Sequence, residues 1–196
     1  MLLFVGLGNP TPNSENKRHN IGFKIIDAIN NKFKLSKQKP KFKGLLTTGS
    51  INNKKVYAIK PLTFMNNSGI CIRELMEYFK IDAEDVIVFH DDLDIDFGKV
   101  KAKFGGSDAG HNGIASIDKF IGKEYSRVRI GIGKPKNNIA VNDHVLKDFD
   151  EDEKTELESI KENITDNLSI LIEKKLDLFS STVTVSYTHL RAHETR

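Results

Sequence analysis

Apolar residues recur along the chain in short blocks that alternate between a strand pattern and a helix pattern. Residues 2–7 form a continuous apolar run, which is typical of a buried strand. Between residues 21 and 33 the apolar positions fall on one face of a helix. Two strand-like runs within residues 44–61 flank the polar pair Asn52–Asn53, which indicates two strands joined by a turn.

The rest of the chain continues this alternation. Apolar residues between Leu157 and Leu171 predict one amphipathic helix, whose acidic start suits the positive end of the helix dipole. The order of elements predicts a single α/β domain, a twisted mixed β-sheet flanked by helices. Between the strand pair of residues 44–61 and this helix, the pattern predicts a helix in 66–80, a strand in 85–92, an edge strand in 99–104, a short helix in 111–122 and a strand in 127–133.

The predicted domain spans residues 1–184. Residues 185–196, "VSYTHLRAHETR", are neither periodic nor composed like the preceding chain. They resemble translated vector or adaptor sequence, so we expect a tail that is foreign to the protein and exclude its histidines from the search for a site.

Composition limits the classes of protein that this chain can be. No apolar run approaches the roughly 20 residues of a membrane helix, so we expect no membrane partner. A single cysteine, Cys71, excludes an internal disulfide and fits a reducing cytoplasm. Cys71 lies in an apolar helical stretch, which favours a buried thiol over a nucleophile.

Charge is distributed unevenly along the chain. Residues 1–147 carry 24 Lys and Arg against 15 Asp and Glu, whereas residues 148–196 carry 6 against 12. Residues 31–60 hold nine lysines and no acid. This asymmetry favours a polyanionic partner.

The glycines after the first strand do not predict a nucleotide site. Gly6 and Gly8 fit the start of the dinucleotide fingerprint, but Thr11 stands where its third glycine belongs. No Gly-Lys-Ser/Thr follows, which also excludes a phosphate loop. The glycines therefore predict only a turn from strand to loop.

Polar side chains gather at the ends of several predicted elements. Asn9 and Asp91 each follow a strand, and ligands of α/β folds bind beyond the carboxyl ends of strands. If His19 meets Asp91 there, the imidazole can take a proton from water while the carboxylate orients it. The remaining polar positions are Asn66 and the pair His111–Asn112.

Other interpretations of these residues stay open at this point. A loop histidine is often merely solvated, and Asn66 can cap the following helix. The acids at 91–96 suggest a metal, but a calcium loop starting at Asp92 has Phe97 in place of glycine and Lys103 in place of the bidentate acid. Too few histidines lie at short spacing for a zinc site, so we expect no metal.

Six motifs in order, over residues 4 to about 133, resemble the bacterial peptidyl-tRNA hydrolase family. They are "VGLGNP", "RHNIGF", "PLTFMNNSG", "HDDLD", "GGSDAGHNG" and "RVRIGIG". The resemblance implies a cytoplasmic, usually monomeric α/β enzyme without a metal or cofactor. Its substrate is peptidyl-tRNA, whose ester between peptide and 3′ ribose it cleaves.

The resemblance also implies a role for individual residues. His19 matches the catalytic histidine and Asp91 its acidic partner, while Lys103 and Arg129 match a basic pair that binds the tRNA 5′ phosphate. The residues that match substrate-binding positions at the acceptor end are Asn9, Met65, Asn66 and Asn112. One position departs from the family, because Ser14 lies near a position where a tyrosine is common.

Two further classes of function remain as alternatives. An RNA-binding module without catalysis would keep the lysines but would not need His19 together with Asp91. A metal-assisted phosphoesterase would use the acids at 91–96, and its activity would be sensitive to a chelator.

Overall fold

A seven-stranded mixed sheet organises the part of the chain that the computed structural model describes, residues 1–184. In chain order its strands are β1 (Leu2–Gly6), β2 (Lys39–Lys41), β3 (Gly44–Ile51), β4 (Lys54–Pro61), β5 (Val86–Asp92), β6 (Val100–Phe104) and β7 (Ser126–Gly131). Their order across the sheet is β2-β3-β4-β1-β5-β7-β6. Strands β4, β1, β5 and β7 are parallel, and β2, β3 and β6 pair antiparallel. The predicted mixed α/β sheet is confirmed, whereas the predicted tail lies outside the described residues.

Helices cover both faces of this sheet. They are α1 (Ile21–Lys32), α2 (Ser68–Phe79), α3 (Asn112–Ile121), α4 (Val141–Val145), α5 (Glu151–Asp166) and α6 (Leu168–Ile172), and residues 176–184 are also helical. Short 3-10 turns lie at Arg18–Asn20, Met65–Asn67 and Ala83–Asp85. Among the described residues, none of the helices has the length and apolar character needed to cross a membrane.

Two apolar cores lie on opposite faces of the sheet. One contains Ile25 of α1 and Leu157 of α5, and the other contains Ile72 of α2 and Ile117 of α3. Alternate residues of β1 enter the two cores, as expected for a central strand buried on both faces. Burial of each Leu or Ile side chain contributes roughly 1.5–3 kcal/mol to the stability of the fold.

Most predicted elements are present, and two details follow the local chemistry that the sequence suggested. Asn52 and Asn53 join β3 to β4 with φ angles of 52° and 63°, the conformation that asparagine tolerates in a tight hairpin. Strand β6 lies at the sheet edge, as predicted. Its Ala102 N–H donates to the Ser180 hydroxyl at 2.9 Å, so the helical stretch 176–184 covers this edge.

The prediction of one helix through Leu157 and Leu171 is wrong. The helix ends at Asp166 and a new one begins at Leu168. Between them, the Asn167 side chain donates to the Asn163 carbonyl at 2.8 Å, and such side-chain bonds compete with a regular helix. Strand β2 and helix α4 were not predicted, because three and five residues are too short to show a period.

Parallel strands bring the polar clusters to one edge of the sheet. The carboxyl ends of β1 and β5 are neighbours, and the backbone N–H of Leu7 donates to the Phe89 carbonyl at 3.1 Å. Helix α1 then crosses β1 very closely, because a side chain at Gly6 would overlap the carbonyl of Gly22. The two glycines thus place the turn that precedes α1 directly beside the end of β5.

Candidate active site

His19 and Asp91 meet at this edge. Asp91 lies near the end of β5 and is 2% exposed, and His19 lies in the 3-10 turn before α1. The His19 Nδ1 atom is 2.8 Å from Asp91 Oδ2. Because Nδ1–H donates to the carboxylate, Nε2 keeps its lone pair for a proton.

A second imidazole occupies the other oxygen of Asp91. His111 Nε2 lies 2.8 Å from Asp91 Oδ1. Its Nδ1 accepts the backbone N–H groups of Gly113 and Ile114 at 3.1 and 3.3 Å, so His111 also caps helix α3. Since Nδ1 accepts, the proton of neutral His111 is on Nε2 and points at Asp91. One carboxylate therefore fixes two imidazoles.

Burial and hydrogen bonding set the charges of this cluster. Burial lowers the pKa of His19, but the charge of Asp91 and the hydrogen bond to it outweigh that effect and raise the pKa above 6.5. Burial raises the pKa of Asp91, whereas the charges and hydrogen bonds of the two imidazoles hold it well below its usual range. Asp91 is therefore ionised at any working pH, and His19 becomes a free base only on the alkaline side of pH 6.5.

His90 packs against the cluster formed by His19, Asp91 and His111. Burial, followed by the neighbouring charge of His111, lowers the pKa of His90 to about 3. Its Nδ1 donates to the Asp91 carbonyl at 2.8 Å, and its ring meets the His111 ring edge-to-face at 5.0 Å. His90 is thus a neutral residue that packs against His111.

A cavity of about 230 Å³ opens over these residues. Its floor contains His19, Asp91 and His111, and Asn112 at the start of α3 lies on its wall. On the far side it reaches the cations of β6 and β7, namely Lys103, Arg127 and Arg129. The general-base candidate and a set of cations thus face one continuous space.

Asn9 is held by the turn that carries His19. Its backbone N–H donates to Asn20 Oδ1 at 3.0 Å, and its carbonyl accepts from Asn20 Nδ2 at 2.9 Å. The Asn9 Oδ1 atom accepts the backbone N–H of Met65 at 2.8 Å. Asn9 therefore joins the end of β1, the His19 turn and the segment after β4, and its Nδ2 group makes no hydrogen bond within residues 1–184.

Met65 and Asn66, like Asn9, are not among the residues that line the cavity. Met65 is 5% exposed, and its sulfur lies 2.5 Å from where a side chain at Gly113 would begin. It therefore packs beneath the start of α3, next to Asn112. Asn66 is exposed in the turn before α2, and the residue that precedes that helix is Asn67, whose side chain makes no capping bond.

Lys103 and Arg129 both line the cavity, but they are not direct neighbours across the sheet. In the register of β6 and β7, Lys103 lies opposite Arg127 and Lys101 lies opposite Arg129. Arg129 also faces Asp92 at 3.9 Å. The lysines of residues 31–60 do not line the cavity, so its cations come from the sheet edge at the other side of the molecule.

Comparison with known proteins agrees with these features. The family model for peptidyl-tRNA hydrolase matches residues 3–190. The chain is 81% identical over 183 residues to the peptidyl-tRNA hydrolase of Pelagibacter ubique, across 93% of this chain and 98% of the relative. It is 47% identical over 159 residues to that of Bacillus subtilis, across 81% of this chain and 85% of the relative.

This chain belongs to the peptidyl-tRNA hydrolase family. A crystal structure of peptidyl-tRNA hydrolase from Acinetobacter baumannii superposes with a TM-score of 0.87 at 31% identity, covering 93% of this chain and 94% of that one. The family predicted from the six motifs is confirmed, and with it an enzyme, a hydrolase that acts in translation.

Ser14 and Cys71 both have structural roles in this family member. Ser14, near the position where the family commonly has tyrosine, is buried, and its hydroxyl hydrogen-bonds the Thr11 hydroxyl. The Ser14 carbonyl also accepts the N–H of Lys17 at 3.0 Å. Cys71 is fully buried in α2, and burial raises the pKa of its thiol to about 12, as expected for a packing residue.

Sequence reasoning missed several residues of the site. His111 was noted only with its motif, and its bond to Asp91 joins positions 20 residues apart. Asn20 could have been found as an amide adjacent to His19, and Arg127 shares a strand face with Arg129 at the period of two. The acids at 92–96 form no cluster of potential metal ligands in the described chain. The clusters whose ligand atoms lie within 4.8 Å of one another are His19, Asp91 and His111 in the site, and Asp82, Glu84 and Asp85 in the turn before β5.

Proposed function

We propose that this chain hydrolyses the ester between a peptide's carboxyl end and the 3′ ribose of tRNA, with His19 as general base. The observation that carries the proposal is the 2.8 Å contact from His19 Nδ1 to Asp91. It leaves Nε2 as the free acceptor of His19, and His19 lines the cavity. A water molecule bound there would lose its proton to Nε2 as it attacks the ester carbonyl.

Asp91 would orient His19 and stabilise the imidazolium that forms during attack. It is suited to this role because it is buried, ionised and hydrogen-bonded through both oxygens. His111 would keep the carboxylate from rotating, since it occupies the second oxygen. Such a base typically contributes about 10²–10⁴-fold, and an activated ester held in position needs little more.

The amide side chains would recognise the peptide and the tRNA 3′ end. Asn9 Nδ2 is free to donate to a carbonyl of the peptide, while its Oδ1 is fixed by Met65. Asn112 lines the cavity beside His111, and we assign it to the 3′ end and the attacking water. Asn66 and Met65 would bound the site on the side of α2.

This arrangement would select a blocked amino group. A peptide bond next to the ester offers a neutral group to the amides, whereas an unblocked aminoacyl-tRNA presents an ammonium ion there. Polar groups of the site would then be left badly paired, which discriminates strongly. The site would read backbone atoms and would therefore accept many peptides.

The cations at the far side of the cavity would bind phosphate. We assign Lys103 and Arg129 to the tRNA 5′ phosphate, without readout of sequence. We further propose a cytoplasmic monomer that needs neither metal nor cofactor and recycles tRNA from stalled translation.

The test compares N-acetyl-aminoacyl-tRNA with unblocked aminoacyl-tRNA, each with the purified chain in EDTA. Release of tRNA from the blocked substrate alone is the expected result. Activity that is lost in EDTA and restored by a divalent ion would instead favour metal-assisted hydrolysis at His19, Asp91 and His111, whose ligand atoms are close enough for one ion. No release from either substrate by folded protein would contradict the esterase proposal.

A further inference from the structure

Arg127 and Lys103 form a pair of cations without a carboxylate between them. They are direct partners in the antiparallel register of β6 and β7, so both side chains project from the same face of the sheet. A side chain at Gly106 would begin 2.5 Å from Arg127 Nη2 and 2.9 Å from Lys103 Nζ. Neither cation forms an ion pair with any residue in the described part of the chain. Two like charges this close are best stabilised by an anion.

Arg127 is unusually buried for a charged residue. It is 4% exposed, and its Nη1 donates to the Ser107 carbonyl at 2.8 Å. Its buried Nε has no hydrogen-bond partner, and the Ser107 contact is the one hydrogen bond that its side chain makes within residues 1–184. A buried guanidinium that meets only one neutral carbonyl is costly, and phosphate is the group whose oxygens match its donors.

The Ser107 contact ties Arg127 to the loop that leads to the active site. At its start, the Gly105 N–H donates to the Tyr125 carbonyl at 2.9 Å. The Ala109 N–H then donates to the Ser107 hydroxyl, and the His111 N–H donates to the Asp108 carbonyl at 2.8 Å. His111 in turn bonds Asp91. These hydrogen bonds, joined by the backbone of residues 107–111, therefore connect Arg127 to the candidate catalytic carboxylate.

Gly106 makes this arrangement possible. Its φ of 101° lies where only glycine is unstrained, and the backbone passes directly over the two cations. The loop and the cations are thus packed against one another, and the position of one constrains the other.

We propose that Arg127 is a positioning residue that couples phosphate binding to the loop of residues 105–112. A phosphate seated between Arg127 and Lys103 holds the guanidinium against the Ser107 carbonyl, and the loop then holds His111 and Asn112 in place. The ligand is the tRNA 5′ phosphate assigned above to Lys103 and Arg129, to which Arg127 adds a third cation of the same cavity, and free phosphate has the same chemistry. The coupling deepens the proposed esterase function and rests on it for its effect on hydrolysis.

The first experiment measures the coupling without hydrolysis. Inorganic phosphate is titrated into ¹⁵N-labelled chain, with wild type, Arg127→Gln and Lys101→Gln compared. Lys101 is the control, because it is an exposed cation on the adjacent strand β6 and does not line the cavity. We expect phosphate to shift the amide signals of Gly106, Ser107 and His111 in wild type and in the control, and not in Arg127→Gln. Equal shifts in all three proteins, or none at the loop in wild type, would overturn the proposal.

The second experiment separates kcat from KM. Blocked aminoacyl-tRNA is supplied with and without its 5′ phosphate. In wild type, removal of the phosphate should lower kcat about tenfold as well as raise KM. Arg127→Gln should show that lower kcat on both substrates, because the two losses share one interaction. Added inorganic phosphate should restore part of kcat on the dephosphorylated substrate in wild type only.

A conservative variant guards against misfolding. Arg127→Lys keeps the charge but cannot bond Ser107 and phosphate together, so it should retain the phosphate effect on KM and lose the effect on kcat. Wild-type kcat in Arg127→Lys, or a phosphate effect on KM alone in wild type, would sink the coupling. If wild type cleaves no peptidyl-tRNA, the esterase proposal fails, whereas the amide shifts still decide whether Arg127 links phosphate to the loop.

Discussion

The charged groups at the two ends of the cavity differ in whether they have partners within the chain. Around Asp91 every strong acceptor is used, since each oxygen takes an imidazole N–H at 2.8 Å. At the pair formed by β6 and β7, Lys103 and Arg127 lie close together, and neither is paired with a carboxylate of the described chain. In the first region both oxygens of the carboxylate have partners within the chain, whereas these two cations have no carboxylate partner among residues 1–184.

This difference separates a reactive site from a binding site. A general base must have a fixed tautomer and orientation before substrate arrives, so the chain supplies all the partners of Asp91 itself. Cations that bind phosphate gain most when no internal acid competes for them. Substitutions at the first region should therefore affect the chemical step directly. Substitutions at the second should affect binding and its dependence on salt, and should reach the chemical step only through the contact of Arg127 with Ser107.

The largest effect is expected for His19→Ala. The variant removes the proposed base and leaves the cations of the other region untouched, so kcat/KM should fall by at least about 10²-fold while tRNA affinity changes little. Steady-state hydrolysis and a direct tRNA-binding measurement test the two halves of this expectation. A fully active variant would show that the base is another group.

Asp91→Asn should give the next largest loss, about 10-fold to 100-fold, through the tautomer of His19. Gly113 and Ile114 donate to His111 Nδ1, so His111 must donate from Nε2 and will take the single acceptor of the new amide. The amide N–H₂ then faces His19 Nδ1, which has to accept. The proton of His19 moves to Nε2, where the base is needed.

The pH profile of Asp91→Asn gives an independent check. In wild type the Asp91 carboxylate raises the pKa of His19 above 6.5, so kcat/KM should increase with pH through that raised value. Without the carboxylate the pKa of His19 falls, and the remaining activity should reach its plateau at lower pH. An acid limb at the same pH in both proteins would mean that His19 does not control it.

More of the fold and of the His19–Asp91 pair could be predicted from the sequence than of the rest of the site. Strand and helix periods are local, and two parallel strand ends were enough to bring Asp91 and Asn9 to one edge. The contact from His111 to Asp91 depends on where α3 begins, which no period encodes. The register that sets Lys103 opposite Arg127 depends on the length of the connection between β6 and β7 and was equally out of reach. The break between α5 and α6 at Asn167 was also missed, because it coincides with one side-chain hydrogen bond and the apolar pattern continues across it.

A smaller effect is expected for Asn20→Ala, which tests whether the hydrogen bonds from Asn20 to Asn9 help to position the site around His19 and Asp91. Asn20 is buried, and its loss leaves the N–H and carbonyl of Asn9 without their partners. Unfolding in urea should show a loss of about 1–3 kcal/mol, and kcat/KM should fall as Asn9 shifts. Asn163→Ala is the control, because it removes a buried bond to the Val183 carbonyl far from the cavity. It should cost similar stability and leave kcat/KM unchanged, and equal activity of both variants would separate Asn20 from the site.

The smallest effect is expected for Lys103→Ala, and it concerns the affinity for tRNA and its dependence on salt. Lys103 is exposed at the cavity and its charge has no internal partner among residues 1–184, so its loss removes one phosphate contact. The slope of log affinity against log salt for tRNA should become smaller by about 1, while hydrolysis of a short blocked aminoacyl-trinucleotide stays at the wild-type rate. Lys101→Ala, on the same strand but outside the cavity, should keep the wild-type slope. If both variants lower the slope equally, Lys103 attracts tRNA only through its general positive charge and does not contact a specific phosphate.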